Sequence, residues 1–156
     1  MEFKVGQIFA TDEEKLQVAI AEAHLGLAEG GIPIGAALFD EAGRLLGSGR
    51  NRRVQDGDAS MHGETSAFRN AGRQRSYKNV TLATSLSPCW YCSGLIRQFG
   101  IGRVLVGDDK NFMGGQDWVA EHGAEVHVMN DPGLIEIMRE FIEANDALWN
   151  EDIGED

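Results

Sequence analysis

The hydrophobic pattern of residues 11–29 predicts one amphipathic helix. Its apolar residues recur at the three- and four-residue spacing of a single helix face, at Leu16, Ala19, Ala23 and Leu27. Thr11 and Glu14 have the spacing of a capping box, in which side chains satisfy the free backbone N–H groups of the first turn. The pair Gly30-Gly31 is expected to end the helix.

The next apolar positions change to an extended pattern. The run 34–39 predicts a buried strand, and a short polar turn leads from it into a second strand over 44–49, so the two should form an antiparallel hairpin. A polar loop over 51–60 then leads to a helix that begins at His62 and ends near Gly72.

From residue 80 onward, short apolar runs alternate with helical patterns. Strands are predicted at 80–85, 103–107 and 125–129, and helices at 89–99, 116–122 and from Asp131-Pro132 onward. The last helix should point Leu134, Ile137, Met138 and Phe141 inward. Because strands that alternate with helices pair in parallel, the pattern predicts a three-layer α/β/α sandwich around a five-stranded mixed sheet. Neither a repeat nor a linker interrupts it, so residues 1–156 are interpreted as one domain.

The amino-acid composition says more about which ligands the protein can bind than about its fold. The chain has 14 basic and 25 acidic residues, a formal net charge of -11, and no basic block longer than Arg52-Arg53. Nucleic acids are normally held by clustered Lys and Arg, so the balance favours a small neutral ligand over a nucleic acid. No apolar run approaches membrane-spanning length, and the first residues do not resemble a signal peptide, so neither membrane nor secretion is expected. With only two cysteines, a reducing cytoplasm is expected.

Candidate chemistry is concentrated in two short motifs, His62-Gly63-Glu64 and Pro88-Cys89-Trp90-Tyr91-Cys92. Together they match the signature of zinc-dependent deaminases. One imidazole and two thiolates give zinc three ligands and leave the fourth tetrahedral position for water, while a carboxylate that is not a ligand can move protons. His62, Cys89 and Cys92 are therefore the expected ligands of one Zn²⁺ per chain, with Glu64 as the catalytic residue. Both motifs should begin helices, whose positive ends favour thiolates.

Two other interpretations of these motifs compete with an open, catalytic zinc site. The Cys89–Cys92 pair has the spacing of a redox motif, although such motifs need no His-x-Glu partner. A structural zinc would need a fourth ligand, for which the chain offers His24, His122 or His127. In the second case the protein would bind zinc without catalysing a reaction.

Nearly the whole chain resembles the fungal-type free-base cytosine deaminases and their bacterial relatives, in the cytidine deaminase-like fold. The resemblance rests on residues 28–35, 49–51, 62–64, 86–89, 111–112 and 149–155. It implies a zinc-dependent hydrolytic deaminase of a free nucleobase, cytosine first, and a homodimer. It also implies that Asn51, the Gly63 backbone amide and Asp152 hold the edge of the base that carries O2 and N1. The residues implied to cover the ring are Phe112, Trp149 and Ile153.

The segment from about 145 to 156 would, by composition alone, be an acidic terminus that frays. Trp149 and Ile153, however, stand four residues apart and so would share one helix face. The functional interpretation is a lid that excludes water from the base.

One departure from the family pattern concerns the two residues between the zinc-binding cysteines. This chain has Trp90-Tyr91 where the fungal enzymes have a small acidic residue followed by Met. Trp90 is therefore a candidate substrate-binding residue that would reshape the pocket for isocytosine, an amino-triazine base or guanine. A tRNA adenosine deaminase shares the zinc motif but would need a basic face for the phosphate backbone, and the acidic composition of this chain argues against one.

Overall fold

The computed structural model describes residues 2–155. Its elements, in chain order, are α1 (Asp12–Ala28), β1 (Gly35–Phe39), β2 (Leu45–Arg50), α2 (Arg53–Asp56), α3 (Gly63–Ala71), β3 (Thr81–Thr84), α4 (Trp90–Phe99), β4 (Arg103–Val106), α5 (Gln116–Glu121), β5 (Glu125–Val128), α6 (Pro132–Ala144) and α7 (Asp146–Asp152). None of the helices is long and apolar enough to cross a membrane over the residues described.

The five strands form one mixed sheet in the order β2-β1-β3-β4-β5. Strand β1 pairs antiparallel with both β2 and β3, whereas β3, β4 and β5 run parallel to one another. The α/β class, the five strands and the mixed pairing are therefore as the sequence predicts.

Alternating side chains of the sheet belong to two hydrophobic clusters, one on each face. Ala37, Phe39 and Leu105 point to the face covered by α1 and the start of α6. Leu38 and Val104 belong to the opposite cluster, which α3, α4 and α5 cover. The sheet is thus enclosed between two helical layers, and α7 lies at one end of it. There Trp149 joins a third cluster with Ile32, Ile34, Leu86, Met138 and Phe141.

Three local expectations need correction. Leu27 is 41% exposed, and the buried face of α1 continues through Gly26 instead. A side chain at Gly26 would meet the Ile32 carbonyl oxygen at 3.1 Å, so only glycine lets the chain that follows the helix pass this close. Glu14 does not complete a capping box with Thr11: the Thr11 hydroxyl accepts from the Glu14 N–H at 3.1 Å, but the Glu14 carboxylate accepts from the N–H of Ala10.

The third correction concerns the predicted loop over 51–60, which contains the one-turn helix α2. Its first residue, Arg53, follows the end of β2 by only three positions, so the turn is held close to the sheet. This placement matters because the residues at the start of α2 face the C-terminal helix α7.

Candidate active site

Three side chains from the two motifs meet at the N-terminal ends of α3 and α4. His62 is the residue before α3, and Cys89 is the residue before α4, where its sulfur accepts from the Cys92 N–H. The His62 Nδ1 atom lies 3.5 Å from Cys89 Sγ and 3.7 Å from Cys92 Sγ, and the three atoms all lie within 4.8 Å of one another. The two sequence motifs, separate in the chain, are thus brought to one point.

This geometry fits a zinc ion. At ordinary bond lengths, a tetrahedral zinc holds a ring nitrogen and a thiolate sulfur about 3.5 Å apart, which is the separation found here. Within residues 2–155, this is the cluster of His, Cys, Asp and Glu close enough to bind a metal ion, and it contains three residues. Three protein ligands leave a tetrahedral site with one open position.

The other three histidines lie away from this cluster. His122 Nδ1 lies 2.8 Å from the Trp118 carbonyl oxygen, and His127 Nε2 lies 2.8 Å from a carboxylate oxygen of Glu125. His24 is exposed on α1. A structural zinc completed by one of these side chains therefore has no support in the arrangement of the described residues.

Glu64 is the second residue of α3, and its side chain is buried beside the cluster, with 4% of the residue exposed. Burial, reinforced by the charge of Cys89, raises the pKa of this carboxyl group to about 7. A hydrogen bond from the Cys92 thiol and a second contact with His62 lower the pKa of Cys89 to about 4, against the opposing effect of burial. The corner therefore combines a thiolate with a carboxyl group able to exchange protons near neutral pH.

A second group of polar side chains faces this corner from across a cavity. Asn51 is fully buried, and its Nδ2 donates to both oxygens of Asp152 at 3.2 and 3.3 Å. Its backbone N–H donates to the carbonyl of Ile34, which fixes it at the end of β2. Asp152, the last residue of α7, is brought from the far end of the chain to this contact.

The cavity between these two groups is small, with a volume of about 20 Å³. Its polar lining comes from the residues just described together with Ser87, and its apolar lining consists of Ile34, Leu86, Phe112, Trp149 and Ile153. The Phe112 and Trp149 rings meet edge to face, with centroids 5.8 Å apart at 88°. A lining that is flat and apolar on one side and polar at its edges suits a single small ring system.

Gly63, the first residue of α3, brings the backbone of the helix against β1. A side chain at this position would lie 3.2 Å from the carbonyl oxygen of Ile34 and 3.3 Å from the backbone of Gly35. The absence of a Cβ therefore lets the first turn of α3, with its free N–H groups, approach the cavity from the sheet side.

Trp90 is the predicted site residue that the structure places outside this cavity. Its indole is 64% exposed and packs against Trp118, with centroids 6.2 Å apart. It lines an outer groove together with Tyr91 and Met113. The groove adjoins the cavity, because five residues line both spaces: His62, Cys89, Phe112, Asp152 and Ile153.

Arg53 is a site residue that the sequence interpretation did not identify. Its Nε donates to Asp152 Oδ1 at 2.7 Å, and its backbone N–H donates to Asn51 Oδ1 at 3.0 Å. The available signal was an arginine two positions after Asn51 in an acidic chain, and it was interpreted only as part of a short basic block.

A family model described as the cytidine and deoxycytidylate deaminase zinc-binding region matches residues 9–108. A cytosine deaminase from Candida albicans is 44% identical over 146 residues, which cover 92% of this chain and 97% of that protein. A tRNA-specific adenosine deaminase from Haemophilus influenzae is 35% identical over 99 residues, which cover 62% of this chain and 57% of that protein.

Solved structures show the same fold. A structure from work on A-to-I editing by tRNA:A34 deaminases has a TM-score of 0.70 at 25% identity and covers 80% of this chain and 99% of its own. A guanine deaminase from Nitrosomonas europaea has a TM-score of 0.74 at 20% identity, covering 87% of each chain.

Proposed function

The chain belongs to the cytidine and deoxycytidylate deaminase family. From this premise we propose that it hydrolyses the bond between the ring carbon and the amino group of a free nucleobase, with cytosine as the first candidate, and releases ammonia. One observation carries the proposal. A single small cavity is lined by His62 and Cys89 of the metal-binding cluster, by the buried Glu64 and by the polar pair Asn51–Asp152.

Four further observations support a free pyrimidine base. The 44% identical relative is a cytosine deaminase, and the match covers 92% of this chain and 97% of that protein. The match to the tRNA-specific enzyme covers only 62% of this chain. The cavity has an apolar face and polar edges, as a planar base requires, and the net charge of -11 disfavours a polyanionic substrate.

His62 Nδ1, Cys89 Sγ and Cys92 Sγ would hold the zinc ion. When bound, zinc supplies Lewis-acid activation of a water molecule near neutral pH. The protein contributes the geometry, because both cysteines share one face of α4 and His62 approaches from α3. The thiolate character of Cys89 in the protein itself prepares it for this role.

Glu64 would move the protons of the reaction. Its carboxylate accepts a proton from the attacking water and delivers it to ring nitrogen N3, beside the carbon that carries the amino group. The remaining proton of that water then passes through Glu64 to the departing amine, which leaves as ammonia while the ring carbon keeps the oxygen. A pKa raised to about 7 suits a group that must both take and return a proton at neutral pH.

The other cavity residues would bind and orient the base. One N–H of the Asn51 amide is directed to Asp152, which leaves its second N–H for O2 of the base, and the Gly63 amide can donate to the same edge. The Asp152 carboxylate would accept the ring N1–H. Phe112, Trp149 and Ile153 would cover the ring and exclude water, and α7 would act as the lid.

Ammonia release from a panel of free bases tests the proposal. Purified protein should act on cytosine faster than on isocytosine, amino-triazines, guanine or a tRNA, and its rate should change little between low and moderate salt. Preference for another free base would replace cytosine and keep the reaction. A steep loss of rate with added salt would point to a polyanionic substrate, and zinc-loaded protein inactive on every substrate would leave a non-catalytic zinc protein.

The resemblance also predicts a homodimer, a cytoplasmic location and a role in the salvage of free pyrimidines. These remain predictions for this chain. Analytical ultracentrifugation of the purified protein tests the first, since a dimer of 17.0 kDa chains sediments as about twice that mass.

A further inference from the structure

Arg53 links the body of the protein to the C-terminal helix. Its guanidinium is largely buried, with 17% of the side chain exposed. Nε donates to Asp152 Oδ1 at 2.7 Å, and Nη1 lies 3.2 Å from Glu151 Oε2. One side chain of α2 thus binds two consecutive carboxylates at the end of α7.

The contact with Asp152 matters more than the contact with Glu151. The Asp152 side chain is only 4% exposed, whereas that of Glu151 is 61% exposed. A carboxylate buried at the edge of a cavity for a neutral base needs a compensating charge, and Arg53 is the cation paired with it among the ion pairs of residues 2–155.

The same residue also orients Asn51. Because the Arg53 N–H donates to Asn51 Oδ1 at 3.0 Å, the Nδ2 end of the amide is directed to Asp152. Arg53 therefore binds both polar partners of the base edge, one through its backbone and the other through its side chain.

The cavity is closed on this side by α7, a helix of seven residues. Its apolar attachment is Trp149, which is buried in the third cluster, with Leu148 packed beside it. Its polar attachment is the set of contacts from Asn51 and Arg53 to Asp152. Any movement of this wall that withdraws Asp152 must break its ion pair with Arg53.

We propose that Arg53 is a positioning residue that latches α7 in its closed position and sets the Asp152 carboxylate for the base. The role rests on the proposed function for its substrate contact, but not for the latch itself. Arg53 would act through Asp152 and would not touch the reacting atoms.

Kinetics of Arg53→Gln test the positioning role, with Arg52→Gln as the matched control. Arg52 is the neighbouring arginine, and it pairs with Asp56 and Glu29 rather than with α7. The Arg53 variant should lose about tenfold to a hundredfold in kcat/KM, mainly through a higher KM, as expected for a hydrogen bond to a charged group. The Arg52 variant should stay within about twofold. Equal losses in the two variants would overturn the proposal.

A double-mutant cycle shows whether Arg53 acts through Asp152. In an Asp152→Asn background, Arg53→Gln should add little further loss, because the contact that it serves is already gone. A full second loss in that background would show that Arg53 acts on the reaction by another route and would reject the positioning role.

Hydrogen exchange separates the latch from the reaction. Amides of residues 146–152 should exchange faster in Arg53→Gln than in the wild-type protein or in Arg52→Gln. If the wild-type protein deaminates no base but this difference is found, the proposed function fails and the latch stands. Unchanged exchange would reject the latch. If Arg53→Gln does not fold, Arg53→Lys replaces it in the kinetic and the exchange measurements. A lower kcat/KM and faster exchange are again expected, because lysine cannot reproduce the arginine geometry.

Discussion

The two sides of the cavity are built in different ways. The metal-binding side consists of the first turns of α3 and α4, which lie on the sheet and belong to the large core clusters through Ala67 and Ile96. The opposite side is α7, which is attached by Trp149, by its neighbours Leu148 and Ile153, and by a small polar cluster. Residues that must hold a metal and a proton donor in fixed geometry are thus carried by the core, while residues that must admit the substrate are carried by a short terminal helix.

This contrast predicts different responses to mutation. Damage on the metal-binding side should remove the reaction and spare α7. Damage to α7 should change binding and closure and spare the metal.

The largest effect is expected from the ligands. Cys89→Ser and Cys92→Ser should each lose the single zinc ion and all measurable deamination, because hydroxyl oxygen is a much poorer zinc ligand than thiolate. Metal content by atomic absorption, measured with ammonia release, checks this. His122→Asn is the control and should keep both, since His122 lies outside the cluster. Full zinc content in both cysteine variants would remove the ligand assignment.

Glu64→Gln should keep the zinc ion and lose about 10²–10⁴-fold in kcat, or more, because an amide cannot accept and return a proton. The measurement is steady-state turnover of the best base, with metal content determined on the same sample. Turnover close to wild type would show that another group carries the protons. Loss of zinc would instead place Glu64 among the ligands.

Removal of the C-terminal wall should have the next largest effect. Deleting residues from Leu148 onward should reduce kcat/KM by at least the one to two orders of magnitude that a hydrogen bond to a charged group contributes, while zinc remains bound. Because Trp149 is buried in the third cluster, the deletion should also lower the thermal unfolding temperature. Calorimetry and kinetics of the truncated protein test both parts.

The matched control for that deletion removes only residues 155 and 156, which leaves α7 complete. It should retain the full-length rate. If the longer deletion also retains it, the segment is a solvated end and not a lid.

The smallest effect is expected at Trp90, which lies on the metal-binding side but points into the outer groove. Trp90→Asp should change kcat/KM for cytosine by about twofold, as is usual for an exposed side chain. Relative rates on cytosine, isocytosine and guanine measure its effect on specificity. A tenfold change in preference would restore Trp90 as a specificity residue and would show that the outer groove takes part in choosing the base.

The metal-binding side could be predicted from the sequence because its signals are local. His62 and Glu64 are two residues apart, Cys89 and Cys92 share one helix turn, and Pro88 marks where that helix begins. The order of strands and helices followed in the same way from hydrophobic periodicity. Leu27 was misplaced because the close packing of Gly26 against Ile32 depends on the chain beyond the helix.

The C-terminal wall was only partly predictable, since its contacts join distant parts of the chain. Arg53 and Asp152 are separated by 99 positions, so nothing in the surroundings of Arg53 indicates its partner. The one-turn helix α2 is too short for a periodic pattern. The direction of the Trp90 side chain likewise depends on Trp118, which belongs to another helix.

The distance in sequence between Asn51 and Asp152 also bears on how the protein is made. A ribosome completes all five strands and both metal-binding motifs before it reaches α7, so the parts that perform the chemistry can fold while the wall is still being synthesised. Docking of α7 then orders only a short terminal segment against a core that is already folded, and few contacts hold it there. We therefore expect α7 to dock last during synthesis and to detach first when the folded protein is heated, so that activity is lost before the core unfolds.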